Sequence, residues 1–394
     1  MFDQILAITG TSLRSVPQRW GASLVVVLGI AGVVGVMVSV LAMAEGFDRT
    51  FASAGRSDRV VVLRNGETSG TASAISREQV PVIMDAPGLA RDSEGKPLAS
   101  VEKVIIATLP EKATGNETNV VIRGVSGQAY KVRPEVKIVE GRAFTPGLRE
   151  LIVGRGAHGQ FAGLELGAEV PLNDTTWTIV GLFETGGTVH ESELWGDVEL
   201  VLAAYSQTGM YAAITAMLQS EHSFITYKDA LITNPVLTHY PQRETEYYEA
   251  QSARLGGMIR GFGYAVAVIM ALGALFSAVN TMYAAVKART VEIATLRAIG
   301  FRGTPIVISV LLEAVVLCAA GGVLGGALAW AVFNGYSVST LNQGTFTQVA
   351  FNFYVSERLL IQGLVWSCAI GLLGALLPAL RAARLPVVDA LRAA

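Results

Sequence analysis

Four long stretches almost free of charge decide what this chain can become. They run from Trp20 to Ala44, Gly261 to Val286, Gly303 to Tyr336 and Leu359 to Leu380, and only Glu313, in the third, interrupts them. Each exceeds the roughly 20 residues an α-helix needs to cross about 30 Å of hydrocarbon. Four transmembrane helices are therefore expected. Only 16% of the residues are charged, against about 25% in a soluble domain, which excludes an ordinary cytosolic enzyme. A net charge of -2 excludes a basic nucleic-acid binder. Cys318 and Cys368 both fall inside apolar runs, so they read as packed thiols, not as a disulfide framework or a metal site.

The segment from Glu45 to Arg260 holds 27 of the 32 acidic and 20 of the 30 basic residues. That is a domain with seven net negative charges, and it offers no pull toward anionic lipid. Orientation is set by short segments, in which Lys and Arg stay cytoplasmic. Arg14 and Arg19 precede the first run, Lys287, Arg289, Arg297 and Arg302 separate the second from the third, and Arg381, Arg384 and Arg392 come after the last. Tyr336 to Glu357 has no Lys or Arg. Both termini and the loop between spans two and three are thus expected on the cytoplasmic face, with the large domain outside. Ala42-Met43-Ala44 looks like a signal-peptidase site, but a signal h-region is only about 7 to 15 residues long, so a retained span is expected.

Within the large domain, Arg59 to Arg64, Ser100 to Leu109 and Asn119 to Gly124 are β-rich. Ser76 and Gln79 suggest a capping box ahead of a helix through about Asp85. Gly209 to Leu218 reads as a strand, Phe224 to Ile232 as a helix and Val236 to Tyr240 as an extended run. Two strand-helix-strand units so far apart suggest a split βαβ lobe with a second, mostly-β lobe inserted at about 125–206. In that insert Leu151 to Gly154 is a buried strand, and Glu169 to Phe183 is a hairpin turning at Asn173-Asp174. His158, His190, His222 and His239 lack metal-ligand spacing, and no metal or catalytic site is expected. The Gly95-Lys96 pair is followed by Pro97, so no P-loop exists in the sequence.

The loop between spans two and three is the most informative segment. Ile293, Leu296 and Ile299 put an apolar stripe on a short helix whose other face carries Arg289, Glu292 and Arg297. Gly300 is placed to stop that helix and Pro305 to start the next. Periodicity alone leaves open an interfacial helix on lipid headgroups or a docking ridge. In the third span Gly321, Gly322, Gly325 and Gly326 form two overlapping small-xxx-small pairs, which let helix backbones approach closely.

Arg289 to Gly300 (RTVEIATLRAIG), followed by a span with an early Glu, resembles the FtsX-like permeases of MacB-type ABC transporters. LRSVPQRW before the first span, AEGF (Ala44 to Phe47), GRAF (Gly141 to Phe144), LIVG, WTIVGLF and the tail PALRAARLPVVDALRAA keep the order of that family over essentially the whole chain. The resemblance implies four transmembrane α-helices plus a large α+β extracytoplasmic domain, a porter-like lobe holding the inserted β lobe. The corresponding divisions are an amphipathic helix over 1–19, spans at 20–44, 259–286, 303–336 and 359–380, the large domain at 45–258, a coupling helix at 287–302, a short outside loop at 337–358 and a tail at 381–394.

The resemblance further implies a permease subunit of a MacB/LolCDE-like transporter in the bacterial inner membrane, without catalysis of its own. It would pair with a second permease copy or paralogue, and each would bind a cytoplasmic ABC ATPase, expected to be a separate chain because only about 19 residues precede the first span. ATP and Mg would reside on that ATPase, with no cofactor on this chain and no nucleic acid involved. A periplasmic membrane-fusion adaptor is a further partner of the family. The coupling helix carries over to Glu292, Ile293, Leu296, Arg297, Ile299 and Gly300. Because ATP supplies the drive, Glu313 is expected to be a polar tie to Asn280 or Thr281 on span two, not a proton switch. The cargo would be an amphiphile such as a lipid, lipoprotein, peptide or glycolipid. The alternative is an FtsX-like signalling scaffold that regulates a cell-wall hydrolase without transport.

Overall fold

A computed structural model describes residues 10, 20–342 and 347–384. The chain divides into two compact units. A helical unit comprises Met1–Glu45, Met258–Tyr336 and Phe353–Ala394, and a sheet unit comprises Gly46–Gly257 and Ser337–Asn352. The first helix, α1, covers Trp20–Ala52.

The sheet unit is built on a main sheet of ten strands. Its amino-terminal part holds β1 (Arg59–Arg64), β2 (Ile75–Ser76), α2 (Gln79–Met84), β3 (Ala99–Pro110), β4 (Glu117–Val125) and α3 (Ala129–Val132). Then come β5 (Lys137–Gly141), β6 (Glu150–Gly154), α4 (Arg155–Gln160), β7 (Glu169–Leu172), β8 (Thr175–Glu184), β9 (Glu193–Asp197) and α5 (Val198–Ala204). The chain returns through β10 (Met210–Tyr211), β11 (Ala213–Met217), α6 (Ser223–Ile232) and β12 (His239–Arg243). The main sheet runs β12-β1-β11-β3-β4-β9-β6-β8-β5, with β7 paired to β8 and a separate β10-β2 pair.

Both β1 and β3 are antiparallel to β11, which lies between them, and β1 separates β11 from β12. The two strand-helix-strand units thus interlock, each inserting a strand into the other. One core, with Val60, Ile75, Ile83, Ile214, Tyr227 and Leu231, forms under α2 and α6. Another, around Ile122, Val153, Phe161, Trp177 and Leu194, forms in the inserted region. The expected insert is not a separate sheet. Strand β9 pairs in parallel with β4, Val121 opposite Glu193 and Arg123 opposite Trp195, because an open strand edge has unpaired backbone groups that a second strand satisfies.

Local chemistry explains the details. β7 and β8 are joined by Asn173-Asp174, and Asn173 takes φ 52°, the left-handed conformation Asn tolerates best after Gly. Only half of the expected capping box forms: the Gln79 side chain accepts from the Ser76 amide at 3.1 Å, while the Ser76 hydroxyl caps nothing because Ser76 is already in β2. The extended run expected to precede Pro241 includes it, since β12 lies at the sheet edge, where a missing N–H is tolerated.

The helical unit takes the apolar parts of α1, α7 (Glu244–Ala288), α9 (Gly303–Phe333) and α10 (Glu357–Ala383), with the short α8 (Thr290–Ala298) after α7. All four long helices are long and apolar enough to cross a membrane. α7 starts 15 residues before the expected boundary at 259, and its polar first turns belong to the sheet unit. The segment expected to be a plain loop at 337–358 contains a hairpin, β13 (Ser337–Asn342) and β14 (Thr347–Asn352). It is part of the sheet unit: the Ala350 amide donates to Ser192 Oγ at 2.9 Å, and Phe351 meets Phe47 edge-on at 5.5 Å. The expected amphipathic helix over 1–19 and most of the tail lie outside the described residues.

Candidate functional site

α8 is set off from α7 by one residue, Arg289, at φ −107° and ψ 14°. It ends in a Schellman turn: the Phe301 amide donates to Leu296 O and the Gly300 amide to Arg297 O, both at 3.1 Å, with Gly300 at φ 105°. Such a turn needs a residue that enters the left-handed region without strain, hence Gly.

The helix is fastened from behind. Arg289 Nη1 donates to Glu313 Oε2 on α9 at 3.0 Å, and Arg297 Nη1 donates to the Ala383 carbonyl, at the end of α10, at 2.9 Å. A guanidinium at a helix carboxyl end satisfies an orphan carbonyl and matches the negative end of the dipole. Ile293 is only 6% exposed and packs with Met282, Val286, Ile306, Val310 and Ala379, against which Leu296 and Phe301 also rest.

This divides the expected coupling residues into two groups. Ile293, Leu296 and Arg297 face the chain's own bundle, so they do not form an outward ridge. Val291, Glu292, Thr295, Ala298, Ile299 and Gly300 face away, with Ile299 72% exposed. The stripe at i, i+3 and i+6 drifts about 60° around the helix at each step, because each residue turns about 100°. Ile293 and Ile299 thereby fall on different sides.

Glu313 is 5% exposed, as an intramembrane carboxylate requires, but its partner differs from expectation. Asn280 is exposed, and the Thr281 hydroxyl donates to its own helix at Ser277 O, 2.9 Å away. The tie is instead a charge-assisted bond from Arg289, stronger than a neutral one.

The four span-three glycines serve two neighbours. A Cβ on Gly325 would collide with Ala31 O, and one on Gly321 would come within 2.7 Å of Val27 O, both backbone atoms of α1. On the adjacent side, a Cβ on Gly322 would meet Ser367 Oγ, and one on Gly326 would lie 3.2 Å from Leu360 Cδ2, both on α10. α9 is held between two helices of its own unit by the absence of side chains.

A second constellation escapes sequence reasoning. Across β1, β11, β3, β4 and β9 lies a buried ladder of charge. Arg123 forks onto both oxygens of Glu193 at 2.7 and 2.6 Å and reaches Glu102 at 2.8 Å. Arg133 joins Glu102, Thr215 Oγ1 and Glu244. Arg59 donates to Glu244 at 2.5 Å and to Glu135 at 2.6 Å. The Trp195 indole donates to Glu193 at 2.8 Å.

His190 lies between Glu193 and the Tyr248 hydroxyl, at 3.3 and 3.1 Å. A carboxylate only accepts, so Nδ1 donates to it and Nε2 accepts from Tyr248. Burial would push Glu102 up, but Arg133 and Arg123 outweigh it and hold the carboxyl below its ordinary range. Burial likewise works against Glu193, and Arg123 and His190 hold it far lower. Burial pushes the His190 imidazole down against the pull of Glu193. The sequence signal was present in charges carried by apolar strands, Arg59 at the start of RVVVLR and Arg123 within ETNVVIRGV. Among the described residues no group of three His, Cys, Asp or Glu could hold a metal ion.

Comparison with known proteins gives two family matches. The MacB-like periplasmic core domain family matches residues 23–232, more than half of the chain. The FtsX-like permease C-terminal family matches residues 264–387. The uncharacterized ABC transporter permease YvrN of Bacillus subtilis (strain 168) is 24% identical over 416 residues, covering 98% of this chain and 97% of that one. The macrolide export ATP-binding/permease protein MacB of Acinetobacter baylyi is 23% identical over 384 residues, 93% of this chain but 56% of its own length. MacB of Shewanella sp. (strain W3-18-1) is 35% identical over 127 residues, 32% of this chain and 18% of its own. The chain therefore spans little more than half, or less, of these MacB proteins. The periplasmic region of MacB from Actinobacillus actinomycetemcomitans superposes with TM-score 0.37 at 10% identity, over 49% of this chain and 92% of that one. With a MacB-like periplasmic core domain followed by an FtsX-like carboxyl-terminal region, the chain belongs to the FtsX-like, MacB-type family of ABC transporter permeases.

Proposed function

We propose that the chain is the membrane-spanning subunit of a MacB/LolCDE-like transporter, in which a separate cytoplasmic ATPase drives motion of the periplasmic core domain to export or extract an amphiphile. Macrolides, the cargo in the name of the MacB relatives, fall in that class. In this reading both termini and α8 are cytoplasmic, the sheet unit is periplasmic, and the permease works as a dimer.

The observation that supports it is the way α8 is mounted. Arg289, Arg297 and Ile293 fix one side of the helix to the bundle, which leaves Val291, Glu292, Thr295 and Ile299 as a rigid outward face for the ATPase. Replacing Val291 and Ile299 together by Asp places two charges in a desolvated contact, at a cost of about several kcal/mol if they stay unpaired. The variant should insert and fold, yet fail to retain a co-expressed ABC ATPase that the wild type is expected to retain. Undiminished retention would sink the docking role. Ile293→Asp does not serve as this test, since it damages the permease's own core. Orientation is checked by a Cys at Asn173, expected to react with a membrane-impermeant thiol reagent in permeabilised-outer-membrane cells, against a protected Cys at Thr290.

A further inference from the structure

The first turn of α7 is held in the sheet unit by an unusual arrangement. Glu244, its first residue, is fully buried. Its Oε2 accepts from Arg59 Nε at 2.5 Å and from the Arg56 amide at 3.2 Å, while Oε1 accepts from Arg133 Nη2 at 3.4 Å. One carboxylate thus joins the start of β1, the segment after α3 and a helix. The backbone closes in at the same place, for a Cβ on Gly55 would come within 2.7 Å of Thr245 Cα. One turn further on, Tyr248 ties α7 to His190.

Stability alone does not call for this chemistry. A buried ion cluster contributes little net stability over well-packed apolar side chains of the same volume, and its best-attested use is to fix one register over others. An apolar plug lets a helix end slide or rotate, whereas Glu244 meets Arg59 and Arg133 together in one position. We propose that Glu244 is a latch, a positioning residue that locks the first turns of α7 to the sheet so that helix and sheet move as one piece. The latch rests on the transport reading above for its purpose: a displacement of α7 in the nucleotide cycle reaches the sheet unit without being lost in a loose joint.

The test uses the permease co-expressed with its ABC ATPase in lipid nanodiscs. Backbone amide exchange over Tyr248 to Ser252 is followed in the wild type, in Glu244→Gln and in Glu135→Gln, where Glu135 shares Arg59 but does not lie on α7. Glu244→Gln should exchange about a hundredfold faster there, as expected for a broken buried pair, while β3 and β4 stay protected; Glu135→Gln should match the wild type. Retained protection in Glu244→Gln, or equal acceleration in both variants, overturns the latch. If Glu244→Gln does not fold, Arg133→Lys keeps the charge but cannot span Glu102 and Glu244, and carries the same expectation. A second readout is the spin-label distance between Asn173 and Thr290 with ATP and with ADP. A change in the wild type that persists undiminished in Glu244→Gln also overturns the latch. No change in the wild type is a failure of the transport reading, and the latch is then decided by exchange alone.

Discussion

The helical unit and the sheet unit both bring backbones together at glycines, Gly325 in the first and Gly154 in the second, but they differ in how much buried charge they carry. In the helical unit the closest approaches occur where side chains are missing, at Gly321 and Gly325 against the backbone of α1. In the sheet unit the middle of one face is filled by long charged side chains, Arg59, Arg133, Glu102, Glu193 and Glu244. The difference arises from solvent. Lipid is as apolar as a leucine side chain, so helices within it gain from close packing and polar contacts, not from excluding water. A domain in water has the hydrophobic effect to stabilise it, and can carry a costly buried ion cluster provided every charge is matched.

The comparison is broken most directly at its charged half. Arg133→Ala should remove about 3 kcal/mol from the sheet unit, because it takes one of two guanidinium partners from each of two buried carboxylates, leaving Glu102 with Arg123 and Glu244 with Arg59. Denaturant unfolding followed through the buried Trp177 and Trp195 measures this; a loss below about 1 kcal/mol, in the range of an exposed pair, would mean the ladder is not the core it looks to be.

At the glycine half the expected effect is smaller. Gly325→Leu forces a side chain against the backbone of Ala31 and should cost about 1–3 kcal/mol as overpacking does. Gly326→Ala meets only the flexible end of Leu360 and should be tolerated. Thermal stability in detergent distinguishes them, and equal losses would show that α9 is not pinched more tightly on its α1 side.

Acid sharpens the contrast. The folded-state value of His190 lies below its unfolded 6.5, so below that pH the unfolded chain binds the extra proton and stability falls. Glu102 and Glu193 have folded values below the unfolded 4.5; their contribution is complete above it and disappears as pH falls through the folded values. Sheet-unit stability should therefore change little around pH 7, decline below about 6.5 by at most about 1.4 kcal/mol per pH unit for each buried imidazole, His190 and His239, and steepen below about 4.5. His190→Gln should leave of the first decline only the share of His239, whose imidazole burial also pushes down, and leave the second. The smallest effect is expected at Asn280, which is exposed and does not hold Glu313: Asn280→Ser should change unfolding by no more than about 0.5 kcal/mol.

Local pattern made much of this fold legible. The charge-free runs located the four long helices, Arg59 to Arg64 reads as the strand it forms, and the Asn173-Asp174 hairpin is visible as a turn between alternating residues. Features that depend on distant parts of the chain are not. Arg59 and Glu244 are 185 positions apart, and neither charge announces the other. The hairpin within Ser337–Asn352 was hidden because the segment stands out in sequence only for its lack of Lys and Arg. At α8, spacing shows that Ile293 and Leu296 share a stripe but cannot say whose surface they meet. For Glu313 the polar side chains of Asn280 and Thr281 on span two were the expected partners, whereas the guanidinium of Arg289, a better match for a carboxylate, comes from beyond the end of that span.

The parallel pairing of β9 with β4 also bears on how far this protein can be trimmed. Residues 126–192 look like a removable cassette, since they carry β5 to β8 at one end of the sheet, beyond β9. Excising it together with β9 would leave β4 paired only with β3, and expose the other side of Asn119 to Gly124, mostly Val, Ile and Gly, as a bare rim with unanswered amides and carbonyls. Such rims recruit other chains. A shortened version would be expected to come out of solution as aggregate even if its remaining core, under α2 and α6, were intact.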